Sequence, residues 1–418
     1  MRTITVAKSD KRLAGSLPIP SSKSLSNRIL ILRQLFPGQI EVNNLSRSDD
    51  TQLLEALLQE INTKREAEHR MLDAGNAGTV MRFLTAYLST LPGKWILKGS
   101  ERMKQRPIGA LVDALRNLGA NIEYLGRIGY PPLMIKGRTL KGGEISIDST
   151  TSSQFISALL LIAPSLENGL KIKLEGEVVS SPYIDMTLGV MNSVGLHAFR
   201  QNEWIVAANG QPGSQVLTVE SDWSAAAFWF EAAAFADDVD LFLQGLQKES
   251  LQGDSILSSI FENFGVESEF TTDGVRLSKE KSKADGYYFD FKDHPDLAPA
   301  VITTCLAIGM RGRFEGLKGL VIKETDRLRA LKSEYKRIGA RLNPDSNSEL
   351  VQGIEFSSQH LNPSQTVTIY TYEDHRMAMA FAPLALMLGA IRIENPNVVT
   401  KSYPGFWAHL TALGFDIS

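Results

Sequence analysis

The sequence predicts an α/β protein of two large domains, and three observations predict it: chain length, a recurring helix-ending glycine, and a recurring polar cluster ahead of an apolar helix. At 418 residues the chain exceeds what one ordinary core organises, at roughly 150 residues per domain. Hydrophobic residues at 43% and charged residues at 22% are globular proportions, which excludes a disordered or fibrous chain. Glycines 119, 195, 265, 339 and 414 recur every 70 to 76 residues. Each closes an amphipathic pattern and precedes alternating residues, for example Leu115 to Ile122 or Tyr335 to Leu342. Glycine there can take the left-handed conformation that ends a helix before a strand. Such a period is a repeat signal.

About 40 to 44 residues ahead of each glycine stands a Ser/Thr/Asn/Asp/His cluster that opens an apolar helix: residues 76–79, 150–153 around Thr151, 221–224, 294–296 and 372–375. A sixth, residues 21–27, opens the first helix, with Asn62 in the place of the glycine. Six units of helices and strands imply an α/β fold with internal pseudo-symmetry. Helix starts with free N–H groups and a positive dipole end are ready anion sites, so a small polyanionic ligand is expected.

Bulk properties exclude several classes. The uncharged stretch of residues 377–391 is shorter than the roughly 18 residues of a membrane span and contains Gly389, so it reads as one buried helix. No secretory signal is visible at the start, and the expected location is the cytoplasm. A lone Cys305 permits no internal disulfide, and six scattered His do not suggest a metal cluster. The net charge of −3 argues against nucleic-acid binding. The most basic stretch, residues 311–341, holds ten Lys/Arg against four Asp/Glu, which fits either a solvated helix face or a local anion site.

Several motifs could carry chemistry. Ser21-Ser22-Lys23-Ser24-Leu25-Ser26-Asn27-Arg28 places hydroxyls, a compact ammonium and a bidentate guanidinium at a helix start, as a capped surface helix also would. Asp73-Ala74-Gly75-Asn76-Ala77-Gly78-Thr79-Val80-Met81-Arg82 lets backbone approach a ligand, or simply turns; it is no P-loop, because no Gly-Lys-Ser/Thr follows. Arg102-Met103-Lys104-Gln105-Arg106-Pro107 adds cations, and Ser152-Ser153-Gln154 opens a buried helix. In Lys323-Glu324-Thr325-Asp326-Arg327, Thr325 is expected to cap a helix and leave Lys323, Glu324 and Arg327 at its mouth. There a carboxylate between cations could relay a proton, or merely form a salt-bridged helix start. Tyr372 to Ala380, with Asp374-His375-Arg376, and Thr400-Lys401-Ser402-Tyr403-Pro404 complete the set; singly, His375 reads as structural and Lys401 as solvated.

In this order, from Ser21 to Pro404, the motifs resemble those of the 5-enolpyruvylshikimate-3-phosphate (EPSP) synthases. The resemblance implies an inside-out α/β barrel of two domains, residues 16–220 and residues 1–15 with 221–418, each of three βαβαββ units in pseudo-threefold arrangement around an interdomain active-site cleft. It implies transfer of the enolpyruvyl group of phosphoenolpyruvate to the 5-hydroxyl of shikimate 3-phosphate. Lys23, Ser24, Arg28, Ser152, Ser153, Gln154, Ser180, Asp296 and Lys323 would hold shikimate 3-phosphate. Lys23, Gly78, Arg106, Gln154, Arg327, Arg376 and Lys401 would meet phosphoenolpyruvate. Asp296 would be the base, with Glu324 and Lys23 in the other proton transfers. A monomer without metal or organic cofactor, acting on those two small molecules and on neither nucleic acid nor membrane, is expected. Glyphosate is expected to inhibit it through the space left by Gly78.

Four positions depart from the family's usual pattern: Ser21 for Gly, Phe83 for Pro, Gln105 for Glu, and Gly319 for Asn. The alternatives are a UDP-N-acetylglucosamine enolpyruvyl transferase, against which Ser24 and the apolar setting of Cys305 speak, and a non-catalytic anion-binding protein of the same fold.

Overall fold

Side-chain caps at Ser22, Ser152, Asp222, Asp326 and Asp374 open five of the described helices. The computed structural model of the chain describes residues 2–63, 70–150, 152–282, 285–340, 343–344, 354–356 and 366–418; Thr151, Arg341 and Leu342 lie outside them. By contact the chain divides into two compact units, Ser22–Val219 and Met1–Ser21 with Glu220–Ser418, each with its own apolar core. The strand Arg12–Pro18 runs through position 16, where the sequence suggests a boundary, and pairs along its length with Asp238–Gln244. By contact the division falls after Ser21.

The unit Ser22–Val219 holds helices α1 (Lys23–Leu35), α2 (Asp49–Thr63), α3 (Gly78–Thr90), α4 (Gly109–Asn117), α5 (Ser153–Ile162) and α6 (Ser181–Ser193). Ser22 caps α1 and Ser152 caps α5, each through its side-chain oxygen, satisfying N–H groups that a helix start leaves open. Asn62 lies inside α2 rather than after it. Helices α1, α3 and α5 pack on one another. Nine of the ten residues of α5 are buried, and eleven of the thirteen of α3, as expected of helices that are apolar on nearly all sides.

Two four-stranded sheets flank them with one shared pattern. Arg70–Asp73 runs parallel to Gly93–Lys98, which pairs antiparallel with Leu133–Gly137, which pairs antiparallel with Asn121–Tyr124. Gly143–Asp148, Leu170–Glu175, Trp204–Ala207 and Ala198–Gln201 repeat it. A parallel pair, Ile40–Asn43 with Gln215–Thr218, stands by itself.

The second unit holds α7 (Trp223–Phe235), α8 (Leu257–Glu262), α9 (Ala298–Ala307), α10 (Arg327–Arg337), α11 (His375–Phe381), α12 (Ala385–Leu388) and α13 (Phe406–Ala412). Its three four-stranded sheets show the same parallel, antiparallel, antiparallel order. Burial alternates along Asp238–Gln244, so one face packs inward and the other meets solvent. Helices α7, α9 and α11 pack together, with every residue of α9 buried and only Ser224 of α7 not fully so.

The five repeat glycines follow α4, α6, α8, α10 and α13 with φ of +93°, +82°, +77°, +86° and +81°. Side chains rarely tolerate that region, and four of these turns close with the next residue's N–H bonded back to a helix carbonyl, as Ala340 to Tyr335 at 2.8 Å. The expected single helix over residues 377–391 is broken instead: α11 gives way to a 3-10 turn containing Pro383, α12 ends at Gly389, and Ile391 lies in the strand Ala390–Glu394. Proline lacks the N–H that would continue the ladder. No described helix is long and apolar enough to cross a membrane.

Candidate active site

In the first unit the sequence-marked residues gather at the starts of α1, α3 and α5. Lys23 opens α1, half-buried, with Nζ 3.3 Å from Oδ2 of the buried Asp50. One turn on, Arg28 is 2% exposed. Its Nε donates to Thr187 Oγ1 at 2.8 Å, Nη1 to the Ser24 carbonyl at 2.9 Å, and Nη2 to Ser157 Oγ at 3.2 Å and the Tyr183 carbonyl at 3.0 Å. Burial draws the guanidinium's pKa down to about 10, which still leaves it charged at neutral pH. No carboxylate among the described residues pairs with it. A buried cation held only by neutral acceptors favours an anionic guest.

Gly78 is the first residue of α3, and Arg106 lies across it, with Nη1 donating to the Asn76 carbonyl at 3.2 Å. A Cβ at position 78 would stand 2.6 Å from Arg106 Nη2, so this close approach needs glycine. Arg82 ties α3 to the neighbouring turn through Nη2 to the Pro107 carbonyl at 2.9 Å. Gln154 Nε2 reaches Thr79 Oγ1 at 3.4 Å, joining the starts of α5 and α3, and Ser153 beside it is buried. Ser180 is the N-cap of α6 in left-handed conformation.

In the second unit three cations converge on one carboxylate. Asp296 receives Lys323 Nζ at 3.3 Å, Arg327 Nη1 at 3.1 Å and Arg376 Nη2 at 3.0 Å. Burial alone would raise the Asp296 carboxyl, but Arg376, Lys323 and Arg327 outweigh it and hold it well below the ordinary carboxylate value. Arg327 is 1% exposed, not at an open mouth as the sequence suggests. Asp374 grips it at Nε, 2.6 Å, and Nη2, 3.3 Å, while Glu324 accepts from Nη2 at 2.8 Å. Burial opposes that charge, yet Asp374, Glu324 and Asp296 together raise the Arg327 pKa above its already high value.

The cap of α10 is Asp326, whose Oδ1 accepts from the Arg329 N–H at 3.0 Å; the expected cap, Thr325, lies one residue too early for that bond. Lys401 ends the 3-10 turn Pro396–Lys401, which packs against α11.

Two acidic residues escaped the sequence reading. Asp50 follows Asp49 at the start of α2, and that doubled Asp was the available signal. Asp374 lay inside a quoted motif, but nothing local marked it as the partner of Arg327, 47 residues away. The Ser157 and Thr187 acceptors of Arg28 left no signal at all.

The chain matches the sequence model of EPSP synthase (3-phosphoshikimate 1-carboxyvinyltransferase) over residues 7–410. It belongs to the EPSP synthase family. A 3-phosphoshikimate 1-carboxyvinyltransferase of Bacteroides fragilis is 46% identical over 407 residues, covering 97% of each chain. Its counterpart in Sulfurovum sp. is 37% identical over 435 residues, covering 99% of each. The solved EPSP synthase of Acinetobacter baumannii superposes with a TM-score of 0.77 over the whole of both chains; at 22% identity that likeness shows the mixed α/β fold alone.

The family departures have definite places in this EPSP synthase family member. Phe83 is buried in α3, with the Arg28 guanidinium 5.6 Å from its ring centroid. Gln105 Oε1 accepts from Arg102 at 3.3 Å. Ser21 forms a backbone bridge with Ser221. At Gly319 a Cβ would meet nothing within 4 Å, so the missing Asn side chain was not excluded by packing.

Proposed function

We propose that the chain transfers the enolpyruvyl group of phosphoenolpyruvate to the 5-hydroxyl of shikimate 3-phosphate and releases inorganic phosphate, a step of aromatic amino acid biosynthesis. The family membership supports the reaction, and one observation supports the site: Asp296, Lys323, Glu324, Arg327 and Arg376 stand in one hydrogen-bonded cluster. Shikimate 3-phosphate is held by Lys23, Ser24, Arg28, Ser152, Ser153, Gln154, Ser180, Asp296 and Lys323. Phosphoenolpyruvate meets Lys23, Gly78, Arg106, Gln154, Arg327, Arg376 and Lys401. Positive charge gathered in one place is suited to a phosphate and two carboxylates.

Protonation of the phosphoenolpyruvate methylene makes the neighbouring carbon electrophilic. The 5-hydroxyl oxygen bonds to it while Asp296 takes the hydroxyl proton, giving a tetrahedral ketal phosphate. Loss of a proton from the new methyl group and departure of phosphate then restore the enol double bond. Glu324 and Lys23 manage the methylene proton and the charge on the leaving phosphate. The two compact units are the family's two domains of three βαβαββ units each, forming an inside-out α/β barrel, and the enzyme works as a cytoplasmic monomer. Incubation with both substrates should release phosphate stoichiometrically with enol ether, while UDP-N-acetylglucosamine in place of shikimate 3-phosphate should give none. Absence of release with the natural pair would overturn the reading.

A further inference from the structure

Asp296 is an improbable base as it stands. Its carboxylate is shared by an ammonium and two guanidinium groups at 3.0 to 3.3 Å, and Arg376 adds a second bond, Nη1 to the Asp296 backbone carbonyl at 3.0 Å. A carboxylate so stabilised has little tendency to accept a proton, and its strongly lowered pKa says the same. These six groups balance in formal charge, Lys323, Arg327 and Arg376 against Asp296, Glu324 and Asp374. An incoming anion therefore meets cations whose charge is already matched.

The six groups differ in how firmly they are held. Arg327 is pinned by the fully buried Asp374 on its Nε side and by Glu324, and Asp374 is fixed in turn by accepting the Arg376 backbone N–H at 2.9 Å. The side chains of Asp296 and Lys323 keep 19% and 23% of their exposure, against 1% for Arg327 and none for Asp374. The exposed edge of the cluster is thus the Asp296 to Lys323 contact, while the Arg327 to Asp374 contact is its fixed floor.

We infer that Asp296 is an internal counter-ion, occupying the seat of a ligand's carboxylate or phosphate until the anionic substrate takes its cations and thereby frees it to act as base. This rests on the reading of the cluster as part of the enolpyruvyl-transfer site. Exchange turns a carboxylate ringed by cations into one beside a second anion, and like charge favours the protonated form. Binding and base activation are then one event, and the unliganded enzyme holds its cations in order without a bound anion.

The test uses sulfate, a dianion that does not titrate, and phosphoenolpyruvate, each measured by calorimetry on the whole chain. Asp296→Asn keeps the shape and removes the competing charge. It should bind both anions more tightly than the unaltered chain, by about tenfold or more, while losing turnover; equal or weaker binding overturns the proposal, since a mere substrate ligand would show that. Should the variant not fold, the unaltered chain still decides. Sulfate binding in buffers of different ionisation enthalpy should take up protons increasingly as pH falls from 6 towards 4, because the freed carboxyl returns towards its ordinary range; no uptake anywhere in that window overturns it. Phosphate release by the unaltered enzyme, assayed in parallel, tests the reaction itself, so failure of one reading is separable from failure of the other.

Discussion

Replacing Glu231 by glutamine should make the chain more resistant to unfolding, by an amount that grows with pH. Glu231 sits within α7, in a run otherwise made of Ala, Phe and Trp, at 0% exposure. Neither carboxyl oxygen has a hydrogen-bond partner among the described residues. Burial, with no compensating cation among the described residues, pushes its carboxyl well above the ordinary 4.5. The folded chain therefore keeps a proton that the unfolded chain releases near 4.5. A raised folded pKa means the stability contribution is fully present below 4.5 and is lost as pH rises through the window up to the folded value. Within that window the loss grows with pH, by at most about 1.4 kcal/mol per unit. Glutamine does not titrate, and whatever its buried amide costs is a constant offset. Urea unfolding at pH 5, 6, 7 and 8, followed by tryptophan fluorescence, should give a difference between variant and parent that climbs with pH, by at most about 1.4 kcal/mol per unit. A difference flat across that range would refute the reasoning.

Four further outcomes are expected. Asp374→Asn should lower unfolding free energy by about 3 kcal/mol, because the buried Arg327 loses its main counter-charge, and should raise the KM for phosphoenolpyruvate; urea midpoints and steady-state kinetics check both. Gly78→Ala forces Arg106 off its position and should raise that KM by about tenfold or more with little change in thermal midpoint, since alanine suits the start of α3. Gly119→Ala, whose Cβ would lie 3.8 Å from the nearest atom, should cost only the conformational term of about 1 kcal/mol, whereas Gly265→Ala, 2.3 Å from the Glu280 carbonyl oxygen, should cost clearly more by calorimetric melting. Glyphosate should inhibit in competition with phosphoenolpyruvate; full activity at millimolar inhibitor would contradict the room assigned to Gly78.

Local physics made part of this protein legible from the chain alone. Caps at Ser22, Ser152, Asp222 and Asp374 and left-handed glycines at five helix ends are decided within a few residues, so their types and spacing reveal them. The ordered motifs likewise carried the family. Even so, Asp326 rather than Thr325 caps α10, because a one-residue shift in where the backbone turns is invisible in composition.

Only tertiary structure decided which charges meet. Arg28 rests on Ser157 and Thr187, 129 and 159 residues away, and Arg327 on Asp374. Packing alone left the Glu231 carboxyl oxygens without a hydrogen bond among the described residues and set three cations on Asp296. A residue's type sets what it can donate or accept, but burial and counter-charge depend on segments that the fold brings together from far apart in the chain.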